Sequence, residues 1–94
     1  MPMLVGLPGG PKNLEAELFT TPRQAIKIIE VGKGATAAGE NGSLTAWRDR
    51  KGVLRAELGR FLRTIESGRF DDAKALAAWL NPRLKEIRRT VPHA

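Results

Sequence analysis

The chain has 94 residues, enough for one domain that buries a core without disulfides or a metal. It contains no cysteine, which excludes disulfide scaffolds, thiolate zinc sites and cysteine nucleophiles. Lysine and arginine number 16 against 10 acidic residues, so the formal net charge is +6. This excess predicts an anionic partner: nucleic acid, an acidic protein or anionic lipid.

Residues 1–12 contain three prolines and three glycines, a composition that resists helix formation and predicts a flexible arm. The short apolar run in this arm is interrupted and has no basic segment before it, so we expect no signal peptide, no membrane span and a cytoplasmic location. Residues 13–94 would form a single helical domain. Within it, the segment from Asn13 to Thr20 fits either a short edge strand or one or two helical turns.

A helix start is predicted at Thr21, with Pro22 at the first helical position and Gln24 reaching back as in a capping box. The apolar spacing that follows favours a helix through Val31, although the Ile and Val content also suits a strand. Residues 32–43 hold four glycines and predict a flexible loop that ends in a turn.

The segment from Ser43 to Glu66 carries the strongest helix pattern. Ser43 would cap the helix, and at about 100° per residue the apolar side chains fall within one arc. These side chains are Leu44, Trp47, Leu54, Leu58, Phe61, Leu62 and Ile65. Residues 49–52, DRKG, are also typical of a hairpin turn. We expect a mainly α bundle of three to four helices, with an α+β fold containing a hairpin at residues 44–58 as the alternative.

A further helix is predicted after the break at residues 67–69, with Asp71 or Asp72 as its cap. Its apolar spacing continues to Val91 across Pro82. Because a residue before proline avoids the α region, we expect two nearly collinear helical pieces here. The tail from Thr90 to Ala94 is predicted to fray.

Residues 32–37 match the pattern G-x-G-x-x-A and follow the apolar residues 28–31. In a dinucleotide site, such glycines let the backbone approach a phosphate at the start of a helix. The rest of the chain contains no further βαβ unit. A plain loop is therefore the favoured interpretation, and no cofactor is expected.

Basic residues cluster in two segments, where the planar fork of arginine can hold phosphate oxygens without any base contact. The first cluster is the candidate nucleic-acid site and comprises Arg48, Arg50, Lys51, Arg55, Arg60, Arg63 and Arg69. The second comprises Arg83, Lys85, Arg88 and Arg89. Solvated helix faces with i,i+4 ion pairs are the alternative interpretation of both clusters.

Other conspicuous side chains favour structural roles. Trp47 and Trp79 lie in line with apolar positions and are predicted to pack in the core. Asp71 and Asp72 are predicted to cap a helix, and not to act as paired catalytic carboxylates. His93 stands alone near the C-terminus, so neither a metal site nor an acid–base pair is expected around it.

The span from Trp47 to Arg88 resembles toxins of the RelE-like family in three respects: an Arg- and Leu-rich helix, the turn at residues 68–74, and residues 86–88. The final strands that carry the RNA-cleaving residues of that family have no counterpart in this sequence. The resemblance therefore implies no activity for this chain.

The leading hypothesis is a non-enzymatic, regulatory or accessory protein that binds nucleic acid, DNA in preference to RNA, through the first basic cluster. The alternative is a protein-interaction module, such as an inhibitor or an assembly subunit, and a homodimer is one form of it. Such a module would dock on an acidic protein or a second copy through its helix faces, among them a smooth groove of Gly52, Ala56 and Gly59.

Overall fold

The computed structural model describes residues 16–89, which form a five-stranded sheet with two helices packed on one face. The elements are β1 (Glu17–Leu18), α1 (Pro22–Glu30), β2 (Ala35–Gly39), β3 (Gly42–Arg48), β4 (Leu54–Arg60), β5 (Arg63–Phe70) and α2 (Ala73–Arg88). The strands lie in the order β1-β2-β3-β4-β5. The β1–β2 pair is parallel and every later pair is antiparallel.

The prediction of a mainly α bundle is wrong, and the fold is α+β. The segment 43–66, predicted as one helix, contains most of β3, all of β4 and the start of β5, so the alternative with a hairpin at residues 44–58 describes this region correctly. The physical reason is that its apolar residues also recur at every second position. Leu44 and Ala46 of β3 face the helices beside Leu54 and Ala56 of β4, and all four are buried.

The turn between β3 and β4 shows why the strand pairing prevails. Asp49 Oδ1 accepts hydrogen bonds from the backbone N–H groups of Lys51 and Val53, both at 2.9 Å. Gly52 adopts a φ of +83°, which glycine reaches without steric cost. A short polar side chain that binds its own backbone offers an alternative to the helical ladder, and here it closes a hairpin.

The predicted loop at residues 32–43 contains β2, so the prediction of a loop is wrong, although the turn predicted at its end is present between β2 and β3. The small residues of β2 let α2 approach the sheet closely. Ala35 and Ala37 are fully buried, and a Cβ added at Gly39 would collide with the backbone carbonyl of Ile87. The strand thus forms through tertiary packing and not through high intrinsic β-propensity.

Two of the three predicted caps, Thr21 and Asp72, are confirmed, whereas the predicted cap Ser43 lies within β3. The Gln24 N–H donates to Thr21 Oγ1 at 3.1 Å, while Gln24 Oε1 accepts from the backbone N–H of Thr20 at 3.0 Å. Asp72 Oδ1 accepts from the Ala75 N–H at 2.8 Å at the start of α2. The prediction of two helical pieces around Pro82 is wrong, because α2 runs continuously from Ala73 to Arg88.

The core lies between the two helices and the sheet face that they cover, here called the inner face. Buried side chains of α2 on both sides of its proline pack there and hold the helix together across that residue; they are Leu76, Leu80, Leu84 and Ile87. No helix within residues 16–89 is long and apolar enough to cross a membrane. The predicted arm at residues 1–12, Asn13 to Glu15, and the predicted tail with His93 lie outside the described residues.

Candidate interaction edge

The seven basic residues predicted to bind nucleic acid do not share a helix face. They are distributed over three strands and over turns at opposite ends of the sheet. Arg48 donates to the carbonyl of Gly52 at 2.6 Å, and Arg55 forms an ion pair with Asp49 at 3.5 Å. The prediction of an Arg-rich helical surface is therefore wrong. No observation in the described residues supports nucleic-acid binding.

The positions of the seven residues follow from the strand period. Arg48 lies at the end of β3, Arg50 and Lys51 lie in the β3–β4 turn, and Arg55 lies in β4. Because neighbouring residues of a strand point to opposite faces, the sheet separates side chains that a helix would have grouped.

The remaining residues, Arg60, Arg63 and Arg69, lie at or beyond the β4–β5 turn. Arg60 Nε donates to the backbone carbonyl of Asn41 at 3.2 Å, which ties this turn to the β2–β3 turn. Arg55 and Arg69 are cross-strand partners on the face opposite the helices, here called the outer face.

Members of the second basic cluster hold the fold together. Arg88 donates to the backbone carbonyl of Phe19 at 2.8 Å, and Arg89 lies 3.6 Å from Glu86. Arg83 stacks over Trp79, with its guanidinium carbon 4.2 Å from the ring centroid. These contacts assign a structural role to three of the four basic residues.

The predicted small-residue groove is absent from the described structure, because its three members lie in different surroundings. Gly52 is in the β3–β4 turn, Ala56 is buried on the inner face, and Gly59 adjoins an irregularity between β4 and β5. The tryptophans differ as well. Trp79 is half-buried and packs against the core, whereas Trp47 is buried, with 8% of its surface accessible, on the outer face.

The most unusual backbone of the described chain is the β4–β5 turn, which we call the tip: Phe61 and Leu62, flanked by the paired residues Arg60 and Arg63. Phe61 has a φ of 55° and Leu62 a φ of 66°. Two-residue hairpin loops with positive φ at both positions strongly prefer Asn and Gly. For other L-residues the left-handed region costs about 1–2 kcal/mol each.

The tip is also exposed. Phe61 retains 89% of its accessible surface and Leu62 retains 106%. Bulky apolar side chains therefore occupy two positions where the backbone disfavours them and where water surrounds them. Neither packing nor turn chemistry within the described chain explains these residues.

Strand β5 extends this exposed surface along the edge of the sheet. Among residues 16–89 its one strand neighbour is β4, so its other side presents backbone N–H and C=O groups that a further strand can bind. Ile65, beside the irregularity between β4 and β5, is 49% exposed. Three of the five exposed large hydrophobic residues among the described residues thus lie within residues 61–65.

Helix α2 braces this edge from the inner face. The Phe70 and Trp79 ring centroids are 5.7 Å apart, and Arg83 lies over Trp79. Arg83 also binds Glu66 of β5 through Nε, at 3.1 Å, and through Nη2, at 2.5 Å. The Phe70 ring covers Gly68 so closely that a Cβ there would clash with it. The edge is exposed, yet side chains of α2 and β5 hold it in place.

Open clefts lie beside the tip and beside the helices. The cleft at the tip has a volume of about 510 Å³ and is lined by Phe61 and Leu62 together with Thr45 and Glu57 of the outer face. A second cleft, of about 790 Å³, separates the start of α1 from the last turns of α2 and includes Thr21 and Lys85. Within residues 16–89, no group of three or more His, Cys, Asp or Glu side chains is placed to hold a metal ion.

The glycine motif at residues 32–37 follows a helix and not a strand. Ile28 and Ile29 belong to α1, and β2 begins at Ala35 within the motif. This order is the reverse of the strand–loop–helix context in which such a loop binds a dinucleotide phosphate.

No family model, curated protein or solved structure matches this chain. The resemblance to RelE-like toxins also loses one of its three elements. The segment that was expected to be an Arg- and Leu-rich helix forms strands β3, β4 and β5. The function is therefore argued from the geometry of the β5 edge, defined as residues 61–70. Sequence reasoning missed this edge, and the signal that could have found it is the alternation of apolar and polar residues around Ala56.

Proposed function

We propose that this protein is a non-enzymatic protein-interaction module, an assembly subunit whose β5 edge accepts a strand from another protein chain. One observation carries the proposal: Phe61 and Leu62 are exposed, apolar and held at positive φ beside an unpaired edge strand. The cytoplasm remains the expected compartment.

Docking would remove the apolar surface that the isolated chain leaves in water. Full burial of a Phe, Leu or Ile side chain contributes about 1.5–3 kcal/mol, so Phe61, Leu62 and Ile65 together can drive a stable complex. Natural sheets usually protect exposed edges with charges, prolines or irregularities. This edge has arginines and an irregularity, but it keeps three large apolar side chains near one end.

Added strands gain affinity from main-chain hydrogen bonds and specificity from side chains at alternate positions. Strand β5 supplies eight residues for such pairing. The bracing by Trp79 and Arg83 keeps it in an extended form before any partner arrives, which lowers the ordering cost of binding.

Charge defines the chemistry of the incoming strand. The tip lies between Arg60 and Arg63, and neither forms an ion pair with another described residue. An acidic side chain opposite this end of β5 would meet the guanidinium group of Arg63, because Arg60 Nε already donates to the carbonyl of Asn41. The strand that fits is therefore apolar opposite the tip and acidic beside it.

Site-specific photo-cross-linking in the native extract tests the proposal. A photoreactive phenylalanine derivative replaces Phe61, and a matched variant carries it at Arg50, which is exposed in the turn at the other end of the sheet. We expect one discrete protein adduct at position 61 that disappears when Ile65→Lys is added. Absence of an adduct at position 61, or the same adduct from position 50, would refute the proposal.

A further inference from the structure

The identity of the chain that pairs with the β5 edge can be inferred if the proposed function holds. We infer that β5 pairs with β5 of a second copy of this chain, antiparallel, around a twofold axis that passes through Ser67. The two five-stranded sheets then join into one continuous sheet, with the helices of both copies on the same side.

The charge pattern along the edge is self-complementary. Arg63 stands at the start of β5, paired with Arg60 at the end of β4, and Asp71 and Asp72 follow directly after the end of β5. Antiparallel pairing brings the start of one copy to the end of the other. Arg63 and Asp71 form no ion pair with described residues of their own chain, so both are available for this contact.

The twofold axis restricts the register. Opposed residues of an antiparallel pair point to the same side of the sheet, so an axis perpendicular to the sheet must pass through a self-opposed residue. With Ser67 on the axis, the basic start of each β5, which lies beyond the irregularity at Ile65, meets the acidic segment that follows the end of the other β5. Glu66 lies opposite Gly68 of the second copy. The carboxylate thus faces a residue without a side chain.

Neighbouring registers are less favourable. An axis at Glu66 would place two carboxylates directly opposite each other, a destabilising arrangement. An axis at Gly68 would place each Glu66 carboxylate opposite the apolar ring of Phe70 in the other copy. The Ser67 register is the one of the three that places the Glu66 carboxylate neither against its own copy nor against an apolar ring.

The same register provides a contact for the tip. Phe61 and Leu62 reach the first turn of α2 in the second copy, beside the half-buried Ala73. The α2 side that overhangs β5 carries Ala75 and Trp79, four residues apart and hence on one side of the helix. Two such sides meet above the joined strands and cover apolar surface that each isolated copy exposes.

A single-cysteine variant tests the register, because the natural chain contains no cysteine. Directly opposed residues of antiparallel strands have Cα atoms about 4.5–5.5 Å apart, within the range of about 4.4–6.8 Å that a disulfide spans. Ser67→Cys should therefore form a covalent dimer under mild oxidation. The matched control is Arg69→Cys, an exposed residue on the same strand whose two copies would be four residues out of register, about 13 Å apart.

We expect Ser67→Cys to cross-link at least about 30-fold faster than Arg69→Cys, as followed on non-reducing gels. Equal rates would refute the twofold register. If circular dichroism shows that Ser67→Cys is misfolded, charge reversal provides the second test. Arg63→Asp alone should weaken dimerisation at least about tenfold in analytical ultracentrifugation, and the double variant Arg63→Asp/Asp71→Arg should restore it.

The outcomes separate this inference from the function on which it rests. A monomer at high concentration, together with a position-61 adduct to a different protein, would refute self-pairing and leave the interaction edge standing. A monomer with no adduct at position 61 would refute both.

Discussion

The two long hairpins of this sheet end in turns of opposite design. In the β3–β4 turn, the Asp49 side chain accepts hydrogen bonds from the backbone and Gly52 adopts a positive φ. Both features suit a tight reversal of the chain. The β4–β5 turn places Phe61 and Leu62 in the same left-handed region of φ, exposed and without comparable turn chemistry. The first turn is built for folding, and the second keeps residues that oppose folding. This contrast is the reason that we propose an interaction site at the β4–β5 end.

Replacement of both tip residues is the strongest test of this contrast between the two turns. The double variant Phe61→Asn/Leu62→Gly introduces the residues that this turn type prefers. Association should weaken by about 100-fold or more, because two large apolar contacts are lost. The monomer, measured at a concentration where the wild type is also monomeric, should gain up to about 2–4 kcal/mol in its free energy of unfolding, about 1–2 kcal/mol for each residue.

Sedimentation and denaturant titration of that variant give the two readouts. A variant that loses association without gaining stability would show that the tip is not strained. A variant that gains stability and still associates would show that the tip is not the contact.

The reverse experiment alters the β3–β4 turn. Gly52→Ala places a side chain at a φ of +83°, with no atom within 4 Å of the new Cβ, so the effect is conformational alone. We expect a loss of about 1 kcal/mol in unfolding free energy and no change in association. Chemical denaturation and ultracentrifugation measure the two quantities, and weakened association would break the proposed division between the turns.

Loss of the brace on β5 should have a smaller effect. Arg83→Met removes the ion pair with Glu66 and the stacking on Trp79, while it keeps an aliphatic chain. Since these groups are partly exposed, we expect a loss of at most about 1 kcal/mol in stability. Association should weaken only a few-fold, and hydrogen exchange in β5 should accelerate more than in β3. Uniform acceleration across the sheet would argue against a bracing role.

The smallest effect concerns pH. Backbone hydrogen bonds from Val53 and Lys51, with the nearby Arg55, hold the pKa of Asp49 below its usual value of 3.8, against the opposing effect of desolvation. A pKa lowered by folding stabilises the fold above the unfolded value, and this contribution is lost as pH falls through the folded pKa. Asp49→Asn should therefore lower Tm slightly at pH 7 and make little difference near pH 2. Equal effects at both pH values would contradict this account.

Local signals predicted the parts of the fold that depend on local contacts. The caps at Thr21 and Asp72 were predicted because each side chain binds a backbone N–H three residues away. The sheet could not be predicted with the same ease, since Leu44, Leu54 and Leu58 fit both a helical arc and a period of two. Nothing in the propensities of β2, ATAAG, indicates a strand, because its stability comes from the close packing of α2.

The candidate site was hidden for a related reason. Phe61 and Leu62 are poor turn formers, so the sequence gives no turn signal between β4 and β5. They instead completed the apparent apolar face of a helix. The arginines around them were interpreted as one basic helical surface. In the sheet, successive side chains of a strand point to opposite faces, so these arginines are divided between the two faces.

Hydrogen exchange across a concentration series tests the central claim most directly. As protein concentration rises, the amides of residues 61–69 should become at least about tenfold more protected, while those of residues 49–53 keep their exchange rates. Unchanged exchange in residues 61–69 at every concentration, and also after addition of the native extract to isotopically labelled protein, would contradict the assignment of β5 as an interaction edge.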